Sequence, residues 1–425
     1  MRPPSLLSLT IASALAHITD IVDLTDIPDF LLIELFLGTL RAGKLTEKVL
    51  KVFIATGNPH ILSFIESLGI KIALTPILPT LKDDEVDIVI TALKPDLGFL
   101  EEWRPVFSRF HLIIVKDPDL LDADLKIPPG FPSLDVYNQS DMESLVGKKA
   151  LSLLQFTGFS ARYFGYLVSR RRYIIFIDAD CIPVRDDLGH PMDVVNQHLV
   201  NLTTPATPFF FNTLYDPYIK GSDFVRGYPF SLRCGVDCAV SCGLWLNTPD
   251  CDASVLKSGK RIERIADAVI TVPKGTMFAL SGVNVAFNRE LIGPALFSGL
   301  VLAGEGKVRH KTMEDIWCGM CVKTVCDHLG YGVKSGAPYV QRCVDGATEQ
   351  ESPECTMVAA NLLEVAVPFF QSIRLPRTAI STEACMLEIV KLVREKLGHA
   401  DSSFARAADS MEEWVGVWRS LHAKL

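Results

Sequence analysis

No apolar run in this sequence reaches the roughly 20 residues that a membrane-spanning helix needs. The richest stretch, Ile27 to Leu40, is interrupted by Asp29, Glu34 and Gly38. Basic residues are not in excess: 42 Lys and Arg stand against 50 Asp and Glu, a formal net charge of −8. That balance excludes a generic basic nucleic-acid binder. It leaves room for a small ligand such as a sugar nucleotide, held by local donors and a metal. Internal repeats and long low-complexity segments are also missing, which sets aside solenoids and disordered tracts. A disulfide-scaffold spacing is absent as well. The eleven cysteines are odd in number and clustered, which favours reduced thiols in a cytosolic protein.

What is present is ample apolar material, 48% of 425 residues, enough for a large core and for two or three domains of about 100–200 residues each. At the N-terminus, Arg2, the apolar Leu6–Ala16 and the small-residue pattern Ala14-Leu15-Ala16 match a signal peptide on paper. A first amphipathic helix is the preferred reading. Helical signals continue to about Thr80. Pro28 sits at a helix start with Asp26 as cap. Thr46 caps a helix with the face Val49, Leu50, Phe53 and Ile54, ending at Gly57. Asn58-Pro59 starts another, with Ile61, Leu62, Ile65 and Leu68 inward and Gly69 as the stop. Residues 1–80 therefore form a helical module. Its segment Leu24–Leu40 weakly resembles the entry helices of an F-box, and ordinary helical packing is the preferred reading.

The pattern changes across Pro76–Glu85. Val86-Asp87-Ile88-Val89-Ile90-Thr91 is a short β-branched run of the kind a buried parallel strand requires. A helical stretch through Trp103 leads to His111-Leu112-Ile113-Ile114-Val115, which ends at Lys116-Asp117. A third run, Tyr173-Ile174-Ile175-Phe176-Ile177, ends at Asp178. Strands alternating with helices predict a doubly wound α/β sheet. Such sheets bind ligands at the carboxyl ends of their strands, where Asp117 and Asp178 lie. Asp117 precedes Pro118 and reads equally as a turn residue. Two helical stripes close the chain: Met386, Ile389, Val390, Val393 and Leu397, then Met411, Trp414, Val415, Trp418 and Leu421. The expected plan is a module over 1–80, a ligand domain over 83–375 and a helical tail over 376–425 that packs on the domain or on a partner subunit.

Asp178-Ala179-Asp180 carries the first chemistry. Two carboxylates at a strand end can hold a hard divalent cation, Mn2+ or Mg2+, which would stabilise a departing diphosphate; a turn or helix cap is the competing reading. The more specific run is Pro208-Phe209-Phe210-Phe211-Asn212-Thr213-Leu214-Tyr215-Asp216-Pro217-Tyr218, followed by Asp223-Phe224-Val225-Arg226-Gly227-Tyr228-Pro229-Phe230-Ser231-Leu232-Arg233. Gly243-Leu244-Trp245-Leu246-Asn247, Phe287–Pro294 and Glu314-Asp315-Ile316-Trp317-Cys318-Gly319 accompany it. From about Glu85 to the C-terminus this resembles the reversibly glycosylated polypeptide family of plants, the UDP-arabinopyranose mutases, in a divergent branch.

The resemblance implies a GT-A-like nucleotide-sugar domain with a mixed sheet and flanking helices. It implies interconversion of UDP-L-arabinopyranose and UDP-L-arabinofuranose with a sugar carried reversibly on an arginine, which maps to Arg226. Arg233 maps to a second required arginine. A UDP-sugar substrate, homo- or hetero-oligomers of family members, and a cytosolic location peripheral to the Golgi are implied as well. An arginine is a poor nucleophile because its guanidinium stays protonated, so a carboxylate must orient it. Asp216 and Asp223 are near in sequence, and Glu314 and Asp315 are expected from a loop elsewhere. In such folds Asp117 reads uracil or ribose. Without the resemblance, Arg226 and Arg233 read as phosphate clamps.

Two positions depart from the family. Its motif has three consecutive aspartates, whereas the middle position here is Ala179. A histidine usually follows a Pro-Tyr-Ile-Trp stretch, whereas Pro338-Tyr339-Val340 here runs into Gln341-Arg342. Arg342 would repel a cation or contact phosphate directly. These departures raise an alternative: a UDP-sugar-binding subunit with impaired turnover that assembles with active family members. Cys234, Cys238 and Cys242, with Cys318 and Cys321, invite a zinc reading, but their spacing fits no compact ligand set and buried packing thiols are expected. His310 and His328 are expected to be structural or at the surface.

Overall fold

The computed structural model describes residues 6–21, 23–25, 27–45, 47–67, 83–120, 124–186, 188–217, 223–247, 265–300, 311–343 and 353–423. The chain divides into two compact units, Met1–Thr75 and Pro76–Leu425.

The first unit is helical: α1 (Leu6–Ala16), α2 (Asp29–Arg41), α3 (Glu47–Ala55) and α4 (Pro59–Ser67). Leu32, Leu35, Phe36, Val49, Phe53, Ile61 and Ile65 form its core, with Ala14 and Leu15 of α1 packed against it. Asn58 starts α4 as the sequence predicts. Its Oδ1 accepts the amides of His60 and Ile61, and its Nδ2 donates to Asp29 at 2.7 Å, tying the starts of two helices together. Gly57, at φ +63°, ends the preceding helix. Asp26, Thr46, Leu68 and Gly69 lie outside the described residues.

The second unit is built on one mixed sheet. Its strands are β1 (Val86–Ala92), β2 (His111–Lys116), β3 (Leu134–Tyr137), β4 (Tyr173–Ile177), β5 (Cys181–Pro183), β6 (Cys238–Leu246), β7 (Val269–Thr271), β8 (Asn284–Asn288) and β9 (Gly332–Arg342). The order is β3-β2-β1-β4-β8-β6-β9-β5, with β7 also on β9. The three strands read from the sequence are β1, β2 and β4, and they are parallel neighbours. Beyond them the sheet stops being a plain doubly wound one. β8 runs antiparallel to both β4 and β6, and β9 runs parallel to β6. The carboxyl ends of β1–β4, β6 and β9 therefore share one edge. This mixed α/β architecture is consistent with a GT-A-like fold.

Alternation along β1 splits the core. Val89 faces one layer, and Ile88 and Ile90 face the other. The second layer is covered by α5 (Leu100–Phe107) and α9 (Val194–Thr203); α6 (Gln139–Val146) and α7 (Lys148–Leu154) follow β3. The first layer is covered by α8 (Ala161–Val168) and the later helices. These are the short α10 (Arg289–Ile292), α11 (Lys311–Leu329), α12 (Pro353–Ser372), α13 (Thr382–Lys396) and α14 (Ser402–His422). The C-terminal stripes are buried in this core. Trp414 stacks on Phe297 at 4.7 Å, and its indole N–H donates to the Pro294 carbonyl at 2.9 Å. Among the described residues no helix is long and apolar enough to cross a membrane.

Candidate functional site

The shared carboxyl edge gathers the acidic motif. β4 is buried along its whole length, and the chain leaves it at Asp178, whose amide donates to the Val283 carbonyl at 3.0 Å. A tight turn from Asp178 to Cys181 follows, closed by the Cys181 amide on the Asp178 carbonyl at 3.1 Å. β5 then pairs antiparallel with the end of β9, Cys181 opposite Arg342. This pairing sets Arg342 beside Asp180: Nε donates to Oδ2 at 2.7 Å. Burial pulls the Arg342 pKa down, but the Asp180 charge overrides it and the net shift is upward.

Asp178 and Asp180, the two carboxylates expected to hold a divalent cation, thus flank a tight turn at the edge of the sheet. Among the described residues no group of three His, Cys, Asp or Glu side chains forms a cation cage. Asp180 already faces a fixed positive charge, and Ala179 supplies no donor. A nucleotide-bound Mg2+ or Mn2+ takes most of its oxygens from phosphate and water and needs only one or two carboxylates, so the charge beside those carboxylates decides the fit: the Arg342 guanidinium already neutralises Asp180 and repels a cation there. With Arg342 paired to Asp180, this donor set does not fit a divalent cation.

Asp117 sits at the same edge, after β2. Its Oδ1 accepts the amides of Asp119 at 3.2 Å and Gly158 at 3.1 Å. The turn role is therefore real, and it also pins the segment that opens α8. Oδ2 carries no hydrogen bond among the described residues.

Arg226 lies on the 223–237 segment. The Tyr228 amide closes a turn on the Val225 carbonyl at 3.0 Å, with Gly227 at φ +83° in the third position, where a side chain would be strained. The turn leaves Arg226 exposed, with no hydrogen bond or ion pair among the described residues. Behind it, Tyr228 is buried against Phe210 and Phe224. Arg233 lies over the Phe230 ring at 3.9 Å and the Phe224 ring at 5.0 Å. Phe209, Phe210, Phe211 and Phe230 are all more than 40% exposed, so Arg226 rises from an aromatic surface.

Three expected carboxylates are used elsewhere. Asp216 is buried and pairs with the Lys334 ammonium at 3.1 Å. Lys334 also donates to the Thr204 hydroxyl at 2.8 Å. This pair anchors the 207–217 segment to β9. In the β6 ladder, Lys334 lies opposite Ser241 and Gln341 opposite Leu246, so the anchor and the Arg342 end are roughly 17 Å apart at about 3.3 Å per residue. Glu314 and Asp315 were expected on a loop; they stand instead in the first turns of α11 and are buried. Glu314 accepts from the Ser160 hydroxyl at 2.6 Å. Asp315 pairs with buried Arg162 and accepts the Gly282 amide at 2.8 Å, which fixes the loop leading into β8. None of these three carboxylates contacts Arg226 among the described residues.

Sequence reasoning missed Lys334, Arg162 and a buried network on α9. His198 Nε2 lies 2.7 Å from Asn284 Oδ1, and Nδ1 lies 2.9 Å from Ser241 Oγ. Asn284 Nδ2 is used on the Leu244 and Pro338 carbonyls, so its Oδ1 accepts and His198 is assigned the neutral Nε2–H tautomer. The signal available was a charged or imidazole side chain inside an apolar run. Of the five cysteines expected to be buried, Cys238, Cys242, Cys318 and Cys321 are, and Cys234 is not: it is exposed on the segment that precedes β6. Burial pushes Cys238 up to about 11 and Cys318 to about 12. His328 is likewise structural, on the Ala379 carbonyl at 2.9 Å; His310 lies outside the described residues.

Comparison with known proteins agrees with this architecture. The family model described as "Reversibly glycosylated polypeptide" matches residues 81–423. The chain is 55% identical over 349 residues to "Probable UDP-arabinopyranose mutase 5" of Arabidopsis thaliana, covering 81% of this chain and 99% of that one. It is 52% identical over 343 residues to "Probable inactive UDP-arabinopyranose mutase 2" of Oryza sativa subsp. japonica, covering 80% and 97%. "UDP-arabinopyranose mutase 3" of Arabidopsis thaliana is 46% identical over 351 residues, covering 81% and 93%. From the start of the sheet to the last helix, this chain belongs to the reversibly glycosylated polypeptide family.

Proposed function

We propose that the chain is a UDP-arabinopyranose mutase-like protein that interconverts UDP-L-arabinopyranose and UDP-L-arabinofuranose through a sugar held on Arg226. The observation that carries this reading is the exposed, uncommitted Arg226 guanidinium on a fixed turn, in a chain whose relatives carry the mutase name. In the transfer, the bond from the anomeric carbon to the diphosphate breaks and its electron pair leaves with UDP. A bond to an Arg226 nitrogen forms, and that nitrogen's proton passes to the departing diphosphate. With C1 still attached to that nitrogen, the C1–O5 ring bond breaks as the nitrogen lone pair forms a C=N bond and O5 takes up a proton; O4 then adds to C1, gives up its proton and closes the five-membered ring, and UDP returns by the reverse of the first step. Asp117 Oδ2 reads the base or ribose, and Arg233 clamps phosphate. Oligomers with other family members and a location at the Golgi surface belong to the same proposal.

The test incubates purified protein with radiolabelled UDP-glucose and UDP-arabinopyranose beside an Arg226→Ala variant. Label on the wild type alone, together with a furanose product, is the expected result. A second reading rests on the Arg342–Asp180 ion pair and on Ala179: a UDP-sugar-binding subunit with impaired turnover, like the relative named as probably inactive. UDP binding with neither label nor furanose selects it.

A further inference from the structure

Arg342 stands where the acidic motif opens to the edge of the sheet, and it is held there by more than its side chain. Asn247 Nδ2 donates to its carbonyl at 3.0 Å, and the next amide, Cys343, donates to the Asp180 carbonyl at 2.7 Å. The side chain is 21% exposed and that of Asp180 28%. A guanidinium has five N–H donors in a planar fork. One, on Nε, is used by Asp180, and the two terminal nitrogens make no hydrogen bond among the described residues. The side chain is partly open to solvent at the carboxyl edge of the sheet, where Asp178 ends its strand. A rigid, permanently charged fork matches a pair of phosphate oxygens in geometry and charge.

We propose that Arg342 takes the place of a divalent cation at this edge. Its terminal nitrogens contact the diphosphate of the nucleotide directly, Asp180 acts as a positioning residue that fixes the fork, and nucleotide binding is independent of metal. The proposal rests on the nucleotide-sugar reading above and adds that this chain neutralises the diphosphate with its own side chain.

The test is calorimetric titration of the full chain with UDP, once in EDTA and once in manganese chloride. Wild-type affinity is expected to agree within about twofold between the two. In EDTA, Arg342→Ala weakens binding by about tenfold or more, the usual loss for a charge-assisted hydrogen bond, and Arg342→Lys recovers only part of it because a point charge lacks the fork. Circular dichroism establishes that each variant is folded. An increase of tenfold or more in wild-type affinity with manganese overturns the proposal without any variant. Unchanged binding by a folded Arg342→Ala in EDTA also overturns it. Both outcomes leave the nucleotide-sugar reading standing. A wild type that binds no UDP in either buffer brings down that reading, and the proposal with it.

Discussion

Two arginines of this chain show opposite uses of the same charge. Arg226 is exposed on a turn whose shape is set by its neighbours. Arg226→Ala should change unfolding free energy by no more than about 0.5 kcal/mol in urea titration, as for other exposed positions, while removing any sugar label. Arg162 is buried, and Asp315 offsets its loss of hydration and keeps its pKa raised. Asp315→Asn leaves that charge without its counter-ion and removes most of the hold on the Gly282 amide. A loss of about 3–5 kcal/mol is expected in the same titration. The paired replacement Arg162→Met with Asp315→Leu should recover most of it, because both desolvation costs then vanish together.

At the level of elements, α9 is pinned to β6 and β8 through His198. Burial lowers the His198 pKa from 6.5 to about 4, against a smaller upward effect from the Asn284 bond. Between those values the unfolded chain binds a proton that the folded chain refuses. This contribution to stability is therefore complete above pH 6.5 and is lost as the pH falls toward 4. From this residue alone, stability at pH 5 should lie about 2 kcal/mol below that at pH 7.5. Denaturant titrations of wild type and His198→Gln at both values isolate it, since the variant lacks the titrating group.

Elements also explain what the sequence disclosed. β1, β2 and β4 were legible because they are short β-branched runs, buried on both faces. β6, Cys-Ala-Val-Ser-Cys-Gly-Leu-Trp-Leu, is poor in β-branched residues, and its partners β8 and β9 lie far along the chain. β3 is an exposed edge strand of four residues. The strand-end rule places Asp117 and Asp178 at the shared carboxyl edge for the same reason that their strands are legible. Asp216, Glu314 and Asp315 look like site carboxylates in sequence because their partners, Lys334, Ser160 and Arg162, are brought to them only by long-range packing.

For the whole molecule, the boundaries drawn from sequence have different physical standing. The first unit has a core of its own, and the family match begins only at residue 81. Removing residues 1–75 should leave the thermal midpoint of the remainder and its UDP affinity unchanged, by calorimetry on the shortened chain. The boundary at 375/376 is another matter. Val89 of the first strand, Trp317 of α11 and Trp414 of α14 belong to one cluster, with Phe404 stacked on Trp317 at 5.4 Å. Deleting α13 and α14 would expose Phe297, Trp317 and Phe370 along one side of the sheet, and each aromatic contributes about 3–5 kcal/mol when lost from a core. A chain ending at residue 375 should therefore lose near-UV circular dichroism and bind a hydrophobic dye, while Trp414→Ala alone costs about 3–5 kcal/mol in denaturant. A cooperative, dye-free unfolding transition in the 76–375 chain would show that the C-terminal helices dock on a finished domain; the continuous core argues that they complete it.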